Sequence, residues 1–444
     1  MVTTKSKILR KNQLKLFKMK KLHKKCKGEK MSEQKLLFEK KEKEFVSWDF
    51  KEADVKEFTH CMHTYPAVMI PQIARRLIHL YGKNAKNILD PFMGTGTSLV
   101  EASLTPQIEE AYGFDLNPLA LLISKVKTTS ISINVLKDNL DNIIKSKEYY
   151  SLPNFKNIDF WFKKEIIEKL AIIKTAINKI EDINVKNFFL VVFSETVRNV
   201  SNTRSSEFKL YRMTKEKIDK HNPDVFEEFN KIAIRNINGM SEYIPVKNHT
   251  KVNTLLLSST DTLPIKENSI NLLVTSPPYG DSRTTVAYGQ FSRLALQWLG
   301  YDNANIIDKS LLGGIPSKNI GVYINSQTLE EVISTISQID PNRAKEVLSF
   351  FEDFDKCVMQ INRVMAKDSY ICFVVGNRTV KGINIPTDKI MTEMFMDVDN
   401  YEHIITYTRN IPNKRMPKVN SPSNKKGENG STMTKEFIFV LHKI

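Results

Sequence analysis

The 444-residue chain has only four cysteines, Cys26, Cys61, Cys357 and Cys372, and their spacing follows no pairing pattern. That excludes a disulfide framework and points to a reducing cytosol. No run of about 20 apolar residues occurs, so no membrane-spanning helix is expected. The N-terminus is basic but lacks the apolar core of a secretory signal. Cys61-Met62-His63 offers two metal ligands without a second pair, so no metal site is expected. No internal repeat is evident.

Acids are also scarce. Lys and Arg number 66 against 50 Asp and Glu, for a net charge of +16. Such an excess suits a polyanionic partner, but it is unevenly spread. Met1 to Lys30 carries twelve basic residues and one acid, Glu29, so +11 of the +16 sits there and about +5 remains. Residues 1–45 read as a basic, solvated, disordered tail, with an arm that tracks phosphates as the alternative. Lys27-Gly28-Glu29-Lys30-Met31 can be encoded by a purine-rich stretch resembling a ribosome-binding site. Translation is therefore expected to start at Met31, which would make residues 1–30 non-native. Peptides covering Leu14 to Lys30 in protein from the native host would contradict this.

What is present is more specific. Ile270 to Val274 is a short apolar run that leads into Thr275-Ser276-Pro277-Pro278-Tyr279-Gly280. Proline cannot donate to a sheet ladder, so pairing must stop there. The chain then presents carbonyl oxygens, a hydroxyl and an aromatic ring at a strand end, groups that can hold a planar ring and its amine. Upstream, Asp90-Pro91-Phe92-Met93-Gly94-Thr95-Gly96-Thr97 follows a predicted strand and precedes a predicted helix, Thr97 to Leu104. Gly94 and Gly96 permit positive φ and a close approach of ligand to backbone, and the helix start offers free N–H groups. This is not the full dinucleotide fingerprint, which needs a third glycine. Tyr112-Gly113-Phe114-Asp115 is a third element, an apolar strand ending in an acid about 20 residues beyond the glycine turn. That is the spacing of an acid that accepts from ribose hydroxyls. The other reading of Asp115 is a turn or helix cap ahead of Asn117-Pro118.

Together these motifs resemble those of the S-adenosylmethionine-dependent amino-methyltransferases that act on exocyclic amines in DNA. Asp90-Pro91-Phe92-x-Gly94-x-Gly96-Thr97 is similar to the family's cofactor motif, and Thr275 to Tyr279 to its catalytic motif. His63-Thr64-Tyr65-Pro66-Ala67, with Pro71 following, resembles its N-terminal cofactor-side motif. Leu255 to Leu257 and then Asp261 stand where the family has a strand and an acid near the cofactor adenine. The resemblance covers residues 58–120 and 251–300 best. It implies S-adenosyl-L-methionine as cofactor, held by Tyr65, Pro66, Asp90, Pro91, Phe92, Gly94, Gly96, Thr97, Asp115, Asn117 and Asp261. It also implies Ser276, Pro277, Pro278 and Tyr279 as catalytic residues, and double-stranded DNA as substrate. A restriction endonuclease as functional partner and a prokaryotic cytoplasm follow as expectations.

The implied chemistry fits these residue types. The lone pair of an exocyclic amine is delocalised into its ring. Acceptors such as the Ser276 hydroxyl and the Pro277 carbonyl would localise it by binding the amine hydrogens. Tyr279 would stack on a base extruded from the duplex, and Phe92 offers an aromatic face to a cation. Covalent cytosine-C5 methylation needs a nucleophilic cysteine, yet none of the four follows a proline. In this family, serine before the two prolines leans toward cytosine N4 and an acid or amide toward adenine N6, so N4 is expected with N6 as the alternative. An RNA amino-methyltransferase and a non-catalytic DNA-binding protein are the remaining readings. No separate RNA-binding module is seen.

Strand and helix signals alternate from Pro71 to Ala120 and resume from Thr254. This predicts an α/β fold, a doubly wound, mostly parallel seven-stranded methyltransferase-type sheet. Residues 46–120 and 251–444 would form the catalytic domain. Residues 121–250 would form a helical insertion and possible DNA-recognition region, with the apolar stripe Ile166 to Ile180 read as core packing. Candidate DNA contacts are Arg198 and Arg204 in a polar basic cluster, Arg283 beside the catalytic motif, and Arg293 on a predicted helix from Tyr288 to Leu299. Lys414 and Arg415 lie in a basic loop expected to close over substrate. Solvated surface, or a salt bridge from Arg283 to Asp281, is the competing reading. A helix over 344–365 and strands Tyr370 to Val375, His403 to Tyr407 and Phe437 to Leu441 are predicted to complete the sheet, the last two as an antiparallel hairpin.

Overall fold

The computed structural model describes residues 47–149, 151–204, 208–281, 286–398, 400–411, 419–420, 430–431 and 433–444. The basic segment before residue 47, Arg283, Lys414 and Arg415 lie outside these ranges. Residues 48–444 form one compact unit.

Its centre is a seven-stranded sheet. In chain order the strands are β1 (Asn87–Asp90), β2 (Glu110–Asp115), β3 (Lys251–Leu256), β4 (Ile270–Thr275), β5 (Met365–Val375), β8 (Tyr401–Asn410) and β11 (Lys435–Lys443). Two small separate pairs, β6 (Arg378–Val380) with β7 (Ile383–Ile385) and β9 (Val419–Asn420) with β10 (Gly430–Ser431), lie between. The spatial order is β3-β2-β1-β4-β5-β11-β8. Pairing is parallel from β3 through β5, and β11 runs antiparallel to both its neighbours. The chain thus winds outward from β1 to β3, then crosses to β4 on the other side of β1. That reversal is a topological switch point, where open α/β sheets bind ligands beyond the strand carboxyl ends.

Alternation along the strands builds two cores. Ile88, Leu272, Val274, Cys372, Val374, Ile438 and Val440 face one way, under helix α1 (Pro71–Tyr81). Leu89, Leu273, Ile371, Phe373, Val375, Phe439 and Leu441 face the other, under α10 (Pro341–Val364). A strand with both faces covered has no polar side, so β4 and the end of β5 read as continuous apolar runs.

The first helix after β1 is α2 (Thr97–Ser103), short and buried along its whole length. Between β2 and β3 the chain forms α3 (Pro118–Lys127), α4 (Ile133–Lys145), α5 (Lys164–Asn178), α6 (Ile183–Val200) and α7 (Val225–Tyr243). Buried Ile166, Leu170, Ile173 and Ile177 recur at three- and four-residue spacing along α5. These helices share a third core with α8 (Tyr288–Leu299), whose Trp298 packs edge-on against Phe162 and Phe193. The remaining long helices are α9 (Gln327–Ile339) and α11 (Thr387–Asp397). No helix among the described residues is long and apolar enough to cross a membrane.

Candidate active site

The glycine turn leaves β1 at its carboxyl end. Gly96, with φ +77°, caps α2, and a β-carbon there would run into the Ser124 side chain of α3, so glycine is required on both counts. Asp115 ends the neighbouring β2. Its Oδ2 accepts from the Gly94 N–H at 3.1 Å and its Oδ1 from the Asn117 N–H at 2.7 Å. Asn117 then caps α3 by accepting from the Leu119 N–H at 3.0 Å. Its side-chain amide donates to the hydroxyls of Tyr65, at 3.0 Å, and Ser292, at 2.8 Å. One asparagine therefore joins the end of β2, the start of α3, the Tyr65 segment and α8. Tyr65 also stacks on Tyr288, with centroids 5.9 Å apart and planes 17° apart.

On the far side of β1, the Thr275 hydroxyl donates to buried Asp90 at 2.5 Å. That bond ties the carboxyl end of β4 to the glycine turn, so Ser276-Pro277-Pro278-Tyr279 starts beside it. Ser276 Oγ donates to the Val374 carbonyl at 3.0 Å and lies 3.2 Å from the Tyr279 hydroxyl. Tyr279 donates to Glu436 Oε1 at 2.9 Å.

One cavity at the switch point joins these pieces. It is lined by Tyr65, Pro66, Asp90, Pro91, Phe92, Gly94, Thr97, Asp115 and Asn117, and also by Ser276 and Pro278. The glycine turn and the proline corner thus share one space. Ser258, Ser259, Tyr288, Leu311 and Leu312 line it as well, and the motifs did not point to these. Ser259 reaches it because its hydroxyl donates to the Pro91 carbonyl. Tyr288 does so through its stack on Tyr65. Burial pushes the carboxyls of both Asp90 and Asp115 up to about 6. Burial, and next the nearby Glu436, raise the Tyr279 hydroxyl well above the usual tyrosine range, so it stays a donor.

Some expected residues fall elsewhere. Asp261 is exposed and does not line the cavity, because the chain after β3 turns there and puts Ser258 and Ser259 at the rim instead. Pro277 is buried and Tyr279 half-buried behind the corner, next to the cavity but not lining it. Arg198 departs from the expectation of a DNA-facing cation. Its guanidinium donates to the carbonyls of Phe291 and Phe208 and lies 4.6 Å from the Phe291 ring centroid, so it serves packing. Arg204 is exposed, with its guanidinium 5.7 Å from the Tyr211 ring centroid. Arg293 is half-buried on α8.

The chemistry of the lining suits a nucleoside. Asp115 supplies an acceptor pair, Phe92 an aromatic face and Leu257 an apolar edge. The Thr97 hydroxyl is buried without a hydrogen-bond partner among the described residues.

Comparison with known proteins gives the same picture. A family model described as DNA methylase matches residues 2–125, and one described as D12 class N6 adenine-specific DNA methyltransferase matches residues 69–242. The chain is 45% identical over 423 residues to the type II methyltransferase M.MvaI of Kocuria varians, covering 88% of this chain and 92% of that one. A stretch of 128 residues is 32% identical to the type II methyltransferase M.MjaII of Methanocaldococcus jannaschii, covering 26% of this chain and 24% of the relative. The rRNA methyltransferase aviRa of Streptomyces viridochromogenes superposes over 86% of this chain and 88% of its own, at 8% identity and a TM-score of 0.31. That likeness is too low to add to the strand order. The sheet order, the shared cavity and nearly full-length identity to a type II enzyme converge, and the chain belongs to the S-adenosylmethionine-dependent DNA amino-methyltransferase family.

Proposed function

We propose that this protein methylates the N4 amine of a cytosine everted from double-stranded DNA, at a defined sequence, with S-adenosylmethionine as donor. The observation that carries this reading is the placement of Ser276 in one cavity with Asp115 and Gly94. The donor, when bound, supplies a methyl group on a positively charged sulfur. Asp115 would accept from its ribose hydroxyls, Phe92 and Leu257 would flank its adenine, and Tyr65, Pro66 and Thr97 would hold its amino-acid end.

The chain's own residues act on the base. Eversion costs a few kcal/mol, and stacking on Tyr279 returns roughly 1–3 kcal/mol. Ser276 Oγ and the Pro277 carbonyl accept the amine hydrogens and localise the nitrogen lone pair. Holding the two reactants in line then supplies much of the rate. Exposed Arg204 and the helical segment 121–250 are our candidates for contact with the DNA backbone. A restriction endonuclease that cuts the same site, in the same cytoplasm, would be the functional partner.

Adenine N6 is the second reading, favoured by the match to the D12 class model over residues 69–242. Incubation with radiolabelled donor and either duplex DNA or total RNA, followed by digestion to nucleosides, separates the possibilities. N4-methylcytosine in DNA is the expected product. N6-methyladenine would transfer the assignment to the other amine. Label in RNA alone would overturn the DNA reading.

A further inference from the structure

Two residues far from any recognised motif complete the catalytic corner. Glu436 on β11 accepts from the Tyr279 hydroxyl through Oε1 at 2.9 Å, and through Oε2 from Arg409 Nη1 on β8 at 2.7 Å. Arg409 and Glu436 have side chains only 5% and 15% exposed, so water does not compete freely for either.

Counting protons gives this pair a role. A hydroxyl has one hydrogen to donate. That of Ser276 goes to the Val374 carbonyl at 3.0 Å, and that of Tyr279 goes to Glu436. The 3.2 Å approach between the two oxygens therefore contains no hydrogen. Ser276 Oγ keeps its lone pairs open toward the cavity. Had Tyr279 pointed its hydrogen at Ser276, one of those lone pairs would be taken. Arg409 is a donor only, so both carboxylate oxygens of Glu436 act as acceptors.

We propose that Glu436, oriented by Arg409, is a positioning residue: by drawing the Tyr279 proton away it keeps Ser276 an acceptor for the substrate amine and fixes the ring on which the base stacks. The proposal rests on the reading of Ser276 as amine acceptor.

The decisive variant is Glu436→Gln. Arg409 can only donate, so the glutamine oxygen must face Arg409 and its NH2 must face Tyr279. Tyr279 then accepts, and its hydrogen turns toward Ser276. We expect kcat at saturating DNA and donor to fall about tenfold or more, with DNA KM and donor affinity within about twofold. Tyr279→Phe removes the misdirected hydrogen, so it should lose less turnover than Glu436→Gln. Glu436→Gln added to Tyr279→Phe should cost no more than about twofold further. An equal loss from Glu436→Gln in both backgrounds, or none in the wild type, would overturn the proposal. If Glu436→Gln does not fold, the proposal falls should Tyr279→Phe lose as much turnover as Ser276→Ala. Full activity in Ser276→Ala would instead remove the underlying reading, whatever Glu436 does.

Discussion

Thr275 and Asp90 stand 185 residues apart in sequence, yet their side chains meet at 2.5 Å and close the seam between β4 and β1. Burial makes a charged Asp90 costly, and the Thr275 bond offsets part of that cost. Thr275→Val keeps the shape and removes the donor. It should destabilise the protein by about 1–3 kcal/mol in urea denaturation, because the buried carboxyl loses its shortest hydrogen bond and its Oδ1 keeps only the Phe92 N–H at 3.2 Å. It should also weaken donor binding, since Asp90 opens the glycine turn.

On the proposed reading, Asp115 should make donor binding pH-dependent. Its carboxyl is raised by burial from 3.8 to about 6, so the free folded protein takes up a proton more readily than the unfolded chain. That stabilising contribution is complete below 3.8 and disappears as pH rises through about 6. Binding has the opposite slope. In the proposed site ribose hydroxyls would donate to the carboxylate, so affinity for S-adenosylhomocysteine, followed by calorimetric titration, should weaken as pH falls through about 6. Asp115→Asn should bind roughly ten- to a hundredfold more weakly, as expected for losing a bond to a charged group, and show a flatter pH profile.

The proline corner should separate turnover from donor binding. Ser276→Ala is expected to lower kcat, and Tyr279→Ala to lower it further by removing the stacking surface, worth about 1–3 kcal/mol. Donor affinity should stay largely intact in both. Loss of affinity in both variants would show that the corner belongs to the donor site instead.

Gly376 gives an independent handle on Tyr279. A β-carbon there would lie 2.7 Å from the Tyr279 ring and would also meet the Met433 side chain. Methionine is flexible and can retreat. Tyr279 cannot shift without lengthening its bond to Glu436. Gly376→Ala should therefore reduce kcat while donor affinity and the urea midpoint change little. An unchanged kcat would mean the ring position is not critical.

How far the sequence revealed this site depends on the range of each interaction. The glycine turn, the proline corner and the acid ending β2 were legible because each is fixed by local backbone chemistry. The helix Tyr288–Leu299 was equally plain, since its apolar face repeats at helical spacing. β5 begins five residues before the predicted Tyr370, because Lys367 and Asp368 are exposed at its start and interrupt the apolar run. Arg198 misled because a basic residue in a polar cluster looks like surface, while the ring and carbonyl that hold it come from Phe291, 93 residues later. Glu436 lies 157 residues beyond Tyr279. A glutamate in a strand near the end of the chain carries no local sign of that partnership. The bonds from Asn117 to Tyr65 and Ser292 were hidden for the same reason.

β11 is the last of the sheet strands to leave the ribosome, yet its place is inside the sheet, between β5 and β8. A nascent chain that lacks it presents two open edges and a tyrosine without its carboxylate anchor. The corner Ser276–Tyr279 gains that anchor only once this strand has been made.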